Sequence, residues 1–225
     1  MITTLPRRLL AASLLAALAA CAGGPPVPDW KMNAQGALER YEAAYLGGNA
    51  LVEAAEFQRA REQIGATGQI DLAARAELLR CASRVASLVF EDCAGFEALR
   101  QDAAAPERAY AAYLAGRAQP ADIALLPPQH RAVAGAASDT AAAAAVAAIA
   151  DPLAQLVAAG VVLRSGRATP ALLATAVDTA SAQGWRRPLL AWLGAQALRA
   201  EQAGAAQEAQ RLRRRMALAQ GKDAR

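Results

Sequence analysis

The sequence predicts an all-α fold, on three observations. Alanine, leucine, glutamate and arginine dominate a chain that is 55% apolar and only 4% aromatic. These are strong helix formers, and the period-two runs of β-branched or aromatic residues that mark a half-buried strand are missing. Prolines stand at 152, 170 and 188, a constant spacing of 18, the beat of helices of ~14 residues joined by short turns. Finally, Glu39-Arg40-Tyr41-Glu42-Ala43-Ala44-Tyr45-Leu46-Gly47-Gly48 aligns with Glu107-Arg108-Ala109-Tyr110-Ala111-Ala112-Tyr113-Leu114-Ala115-Gly116 at an offset of 68 residues.

The N-terminus reads as a targeting segment. Arg7 and Arg8 precede an apolar run from Leu9 to Ala20, the charge and length of a secretory signal. As a helix its 12 residues cover ~18 Å, short of the ~30 Å of a bilayer's hydrocarbon core. The run ends in Leu18-Ala19-Ala20-Cys21, which closely resembles the lipobox of bacterial lipoproteins: leucine, two small residues, cysteine. The resemblance implies cleavage before Cys21, a diacylglycerol on its thiol and an acyl chain on its new amino group. Two or three chains, each buried CH₂ contributing ~0.8 kcal/mol, hold a protein stably where one does not. Residue 22 is alanine rather than aspartate, which by the same resemblance implies the outer membrane, on its periplasmic face. Residues 1–20 are thus expected as the signal, and 21–32, with Gly23-Gly24-Pro25-Pro26, as the lipidated cysteine and a flexible tether.

Residues 33–220 are expected as the helical domain, with a possible subdivision near 117–137, and 221–225 as a disordered tail. A helix through Tyr41 and Tyr45 ends at Gly47-Gly48, and the next at Gly65-x-x-Gly68. The 68-residue offset is twice the roughly 34 residues of a tetratricopeptide repeat. The stretch from Tyr41 to Ala60, with Gly48, Phe57 and Ala60, loosely resembles such a unit. No Trp-Leu-Gly signature recurs, and the residues after 48 and after 116 differ. The architecture is left as antiparallel hairpins in either a tetratricopeptide-like solenoid or an irregular helical bundle. Tyr41, Tyr45, Tyr110 and Tyr113 either line a concave partner groove or pack between helices; Tyr45 and Tyr113 are equivalent in the alignment.

Once Cys21 is lipidated, Cys81 and Cys93 remain, a pair suited to a disulfide in an oxidising periplasm. On one continuous helix they would stand ~18 Å apart, whereas a bridge needs Cα atoms within ~7 Å. The bond therefore requires the helix Leu72–Leu88 to stop, residues 89–92 to turn back, and Asp92 to cap the next helix. Two reduced buried thiols are the alternative. His130, the single histidine, sits in Pro127-Pro128-Gln129-His130-Arg131 and reads as a partly exposed loop residue. No Gly-x-Ser-x-Gly, phosphate loop or four-ligand metal set surrounds any candidate, so no catalytic or metal site is assigned.

Ala141–Leu163 is almost uncharged, but Asp151-Pro152 interrupts it. A mid-membrane aspartate costs ~2.5–3.5 kcal/mol, so two consecutive buried helices, the second capped by Asp151, are expected. Asp151-Pro152 and Thr169-Pro170 each pair a cap with proline at the first helical position; Arg187-Pro188 keeps the proline alone. Gly160, Gly166, Gly184 and Gly204 are expected near helix ends. Ala205, Ala209, Leu212, Met216 and Ala219 form a stripe of a helix burying one face. Beside it, Arg211, Arg213, Arg214 and Arg215 are either a contact for anionic headgroups or an acidic partner, or a solvated basic face.

Loss of residues 1–20 leaves 22 basic against 20 acidic side chains, a net charge of +2. A balance so near zero does not suggest a nucleic-acid binder. The sequence thus leads to a lipid-anchored scaffold or adaptor that holds another envelope protein, without a small-molecule substrate or cofactor beyond the acyl groups on Cys21. An envelope enzyme acting on peptidoglycan or lipid, or a structural lipoprotein with a membrane-touching basic tail, are the alternatives.

Overall fold

Polar caps and left-handed glycines divide the chain into its elements. In the computed structural model, which describes residues 27–221, these are α1 (Asp29–Gly47), α2 (Ala50–Gly65), α3 (Ile70–Ala86), α4 (Ala94–Glu97), α5 (Ala105–Leu114), a 3-10 turn (Pro120–Leu125), α6 (Pro128–Ala134), α7 (Asp139–Ala147), α8 (Pro152–Arg164), α9 (Pro170–Ala182), α10 (Arg186–Gln202) and α11 (Ala206–Ala219). The protein is all-α, and no strand occurs among the described residues. The lipobox and Cys21 lie outside the described residues, as do 222–225 of the expected tail. The tether expected over 21–32 is corrected at its far end. Helix α1 starts at Asp29, whose carboxylate sits in the first turn, where the helix dipole favours negative charge.

The proline beat marks three helices as expected. Asp151 accepts a 2.7 Å hydrogen bond from the Ala154 N–H, and Thr169 accepts one of 3.2 Å from Leu172. Helix α10 begins at Arg186, two residues before Pro188, which still falls in the first turn, where its missing N–H has no intrahelical partner to lose. Ser138 caps α7 by accepting from Ala141, so the uncharged 141–163 stretch is indeed two helices. No helix of the described residues is long and apolar enough to cross a membrane.

The 68-residue match marks a shared helix ending. Gly48 and Gly116 both adopt left-handed φ, +85° and +69°. Each donates to the carbonyl three residues back, Tyr45 or Tyr113, while the following N–H reaches Ala44 or Ala112. That is the paired bonding of a Schellman motif. Beyond it the chains part: α2 runs 16 residues, whereas after Gly116 come only the 3-10 turn and the 7-residue α6.

At the centre α3 packs on α8, and Gly160 makes their contact possible. A Cβ there would lie 2.4 Å from the Val85 carbonyl oxygen. Gly160 is therefore not a helix end, as expected, but a mid-helix contact; Gly166, Gly184 and Gly204 do end helices with positive φ. Trp192 on α10 is fully buried and donates its indole N–H to the Ala86 carbonyl, 2.9 Å away. One hydrophobic core runs from Ala74 to Leu212 and includes Leu126 and Val133 of the 117–137 stretch. Smaller clusters lie under α1, one around Tyr41, Tyr45, Leu46 and Phe57.

Charged pairs fix the order of the first helices. Arg40 on α1 pairs with Glu56 on α2, Arg61 on α2 with Glu77 on α3, and Arg75 on α3 with Glu107 on α5, at 2.9, 3.4 and 2.7 Å. In each pair the glutamate is buried and the arginine exposed. The arginine stem covers apolar surface while its head stays wet.

Candidate functional site

Four elements meet around a groove of about 560 Å³. Helix α3 contributes Arg75, Leu78, Leu79 and Ala82; α5 contributes Pro106, Glu107 and Tyr110; α8 contributes Leu153, Ala154 and Val157, preceded by Asp151. The fourth wall is Leu125-Leu126-Pro127-Pro128 with Gln129, His130 and Arg131 of α6. The double proline ends the 3-10 turn and starts α6, because the residue before a proline is pushed to extended backbone and proline suits a first helical turn. Leu126 follows suit with ψ of 154°.

His130 is not the partly exposed loop residue expected from the sequence. It is buried on α6. Its ring stacks on Tyr110 with centroids 5.6 Å apart and tilts against Tyr113 at 5.0 Å. The Tyr113 hydroxyl lies 3.4 Å from Nδ1, the long end of hydrogen-bonding range. Burial pushes the imidazole pKa down to about 4, against a smaller upward pull from Asp151. His130 is therefore neutral at ordinary pH. Burial likewise raises the phenols of Tyr110 and Tyr113.

Three other charged groups of the groove are each bonded within the protein through one atom. Glu107 Oε1 accepts from Arg75 Nε at 2.7 Å, while its Oε2 is buried without a partner. Asp151 Oδ1 is held by the Ala154 N–H. Arg131 Nε donates to the Leu126 carbonyl at 2.8 Å. The rest of that guanidinium meets no carboxylate among the described residues.

The remaining sequence candidates are scattered. Cys81 and Cys93 are disulfide-bonded, with Cα atoms 5.9 Å apart. The helix stops at Ala86 and Leu88 turns with a φ of 58°, as the bond requires. Asp92 is not the cap; Cys93 occupies that position and no side chain caps α4. Tyr45 and Tyr113 are buried, so neither lines a partner surface; both pack between helices. The Tyr41 and Tyr45 hydroxyls lie against Ser83 and Ser87 without forming a well-aligned hydrogen bond. The Arg187 guanidinium stands 4.1 Å from the centre of the Tyr45 ring, a cation–π contact.

On α11, Ala209 and Leu212 are buried, Met216 and Ala219 are half-buried and Ala205 is exposed. Arg211 pairs with Glu208 at 2.6 Å and Arg213 with Glu201 at 2.5 Å, leaving Arg214 and Arg215 without a carboxylate among the described residues. Among those residues no group of three metal-binding side chains occurs.

Sequence reasoning missed the groove. Leu125-Leu126-Pro127-Pro128 and the Glu107–Tyr110 helix were visible, but their convergence with α3 and α8 is a tertiary fact. Compared with known proteins, the chain matches no family model, no curated protein and no solved structure.

Proposed function

We propose that this chain is a lipoprotein of the outer membrane, facing the periplasm, whose helical body serves as a binding or adaptor module rather than an enzyme. The lipobox ending at Cys21 supports the address. The groove carries the binding reading. Its walls are mostly apolar, no serine, threonine or cysteine lines it, His130 is neutral, and Glu107 and Asp151 are each bonded within the protein through one oxygen. An apolar cleft with a few fixed polar groups is the usual form of a ligand site.

The enzyme reading draws on one observation: Glu107, Asp151 and His130 line the same groove. Their states argue against it. A histidine titrating near 4 is a weak base, well below the working range near neutrality. Glu107 is tied to Arg75 and Asp151 to a helix terminus. Crosslinking in intact envelopes, followed by recovery of the lipidated protein, tests the proposal. A partner enriched above controls is the expected result. Turnover of peptidoglycan or lipid by the purified protein, with no partner recovered, would overturn it.

A further inference from the structure

We propose that the groove between α3, α5, α6 and α8 binds a single-chain anionic amphiphile, a long-chain fatty carboxylate, with the hydrocarbon along the leucine wall and the carboxylate at Arg131. This deepens the reading of the molecule as a binding protein and rests on it. At about 560 Å³ the groove falls within the ~300–1,000 Å³ of small-ligand sites.

The walls choose hydrocarbon over peptide. Leu79, Leu125 and Leu153 offer apolar surface above the buried Leu78 and Val157. Pro106, Pro127 and Pro128 have no N–H to give, and the Leu126 carbonyl is already taken by Arg131. A peptide laid here would bring backbone amides into an apolar setting with few groups to bond them, which is unfavourable. An alkyl chain makes no such demand.

Charge sets the head group. Of the two arginines in the groove, Arg75 is paired with Glu107. Arg131 has no carboxylate within ion-pair distance among the described residues, and only its Nε is used. Its terminal amino groups form the two-pronged donor that suits a carboxylate. Two carboxylates share the groove, Glu107, which is bonded to Arg75 through Oε1, and Asp151, whose Oδ1 accepts from the α8 N-terminus. Tyr110, half-buried and stacked on His130, is a further polar residue of the groove wall.

Displacement of cis-parinaric acid, a fluorescent fatty acid, tests this on the full chain carrying Cys21→Ser, which has no acyl groups of its own to compete. Palmitate is expected to displace the probe, and hexadecanol, equal in chain but uncharged, about tenfold less well, the worth of one charge-assisted hydrogen bond. Arg131→Gln should erase that difference and Arg131→Lys retain most of it. Leu125→Glu, at an exposed wall position, should weaken both ligands. The proposal is overturned by the absence of saturable binding, by equal binding of palmitate and hexadecanol, by indifference to both Arg131→Gln and Leu125→Glu, or by displacement with an uncharged apolar peptide and not with palmitate. Mass spectrometry of the recovered ligand separates this claim from the function it rests on: palmitate returned unchanged supports both, whereas palmitate converted to product keeps the occupant and removes the binding-protein reading.

Discussion

His130 shows how a single residue changes meaning between sequence and structure. Two prolines before it and an arginine after it read as a loop. Its real surroundings, Tyr110 and Tyr113, come from α5, some twenty residues earlier in the chain, and nothing local signals them. The consequence is a pH dependence with a definite sign. The folded state holds His130 at about 4, while the unfolded chain titrates near ~6.5. Above 6.5 both are neutral and His130 contributes no slope. As pH falls from ~6.5 towards 4 the unfolded chain takes up the proton first, so stability drops, by roughly 3 kcal/mol over that window. Urea unfolding of wild type and His130→Asn across pH 4–7 checks this: the variant is expected to show a shallower fall than wild type. Parallel curves would show that His130 titrates normally.

At the scale of the element, the prolines and their caps were legible because capping is a local bond between neighbours in sequence. Asp151 and Thr169 cap by their own side chains, as the sequence predicts; Ser138 caps α7 in the same way without a proline to mark it. Gly160 was misread as a helix end because glycine has two uses. One relieves a left-handed turn, as at Gly184; the other removes a Cβ where two backbones meet, and only the α3–α8 contact reveals it. Gly160→Ala would set a methyl group against the Val85 carbonyl and is expected to destabilise the fold by about 1–3 kcal/mol, read as a lower urea midpoint. An unchanged midpoint would mean that α3 and α8 do not touch there. The disulfide belongs to this scale too. It closes a short loop, with Cys81 and Cys93 separated by 12 residues, and pins the turn after α3. Reduction should lower stability by about 3 kcal/mol on the chain-entropy account, measured with and without a reductant; loss of the whole far-ultraviolet helical signal at neutral pH would show a far larger role than a local clip.

For the whole molecule, the helical class followed from composition, because alanine-rich chains without period-two patterning have few alternatives. Helix arrangement did not. The 68-residue match is real as sequence, yet what it repeats is a helix ending: Glu107 is buried against Arg75 whereas its counterpart Glu39 is exposed. Pairings such as Arg186 with the Gly47 carbonyl and Arg187 with Glu53 bring α10 back to the first hairpin across more than a hundred residues. The groove likewise joins elements distant in sequence, from Arg75 on α3 to Val157 on α8, which explains why its residues could be named only from the structure.

The role proposed for the protein depends on how its helical body is held in the cell. Mass spectrometry of the N-terminal peptide from protein recovered in the outer-membrane fraction tests this most directly. The prediction is a chain beginning at Cys21, carrying a diacylglyceryl group on sulfur and an acyl group on nitrogen. A chain recovered from the soluble fraction with residue 21 unmodified would contradict it.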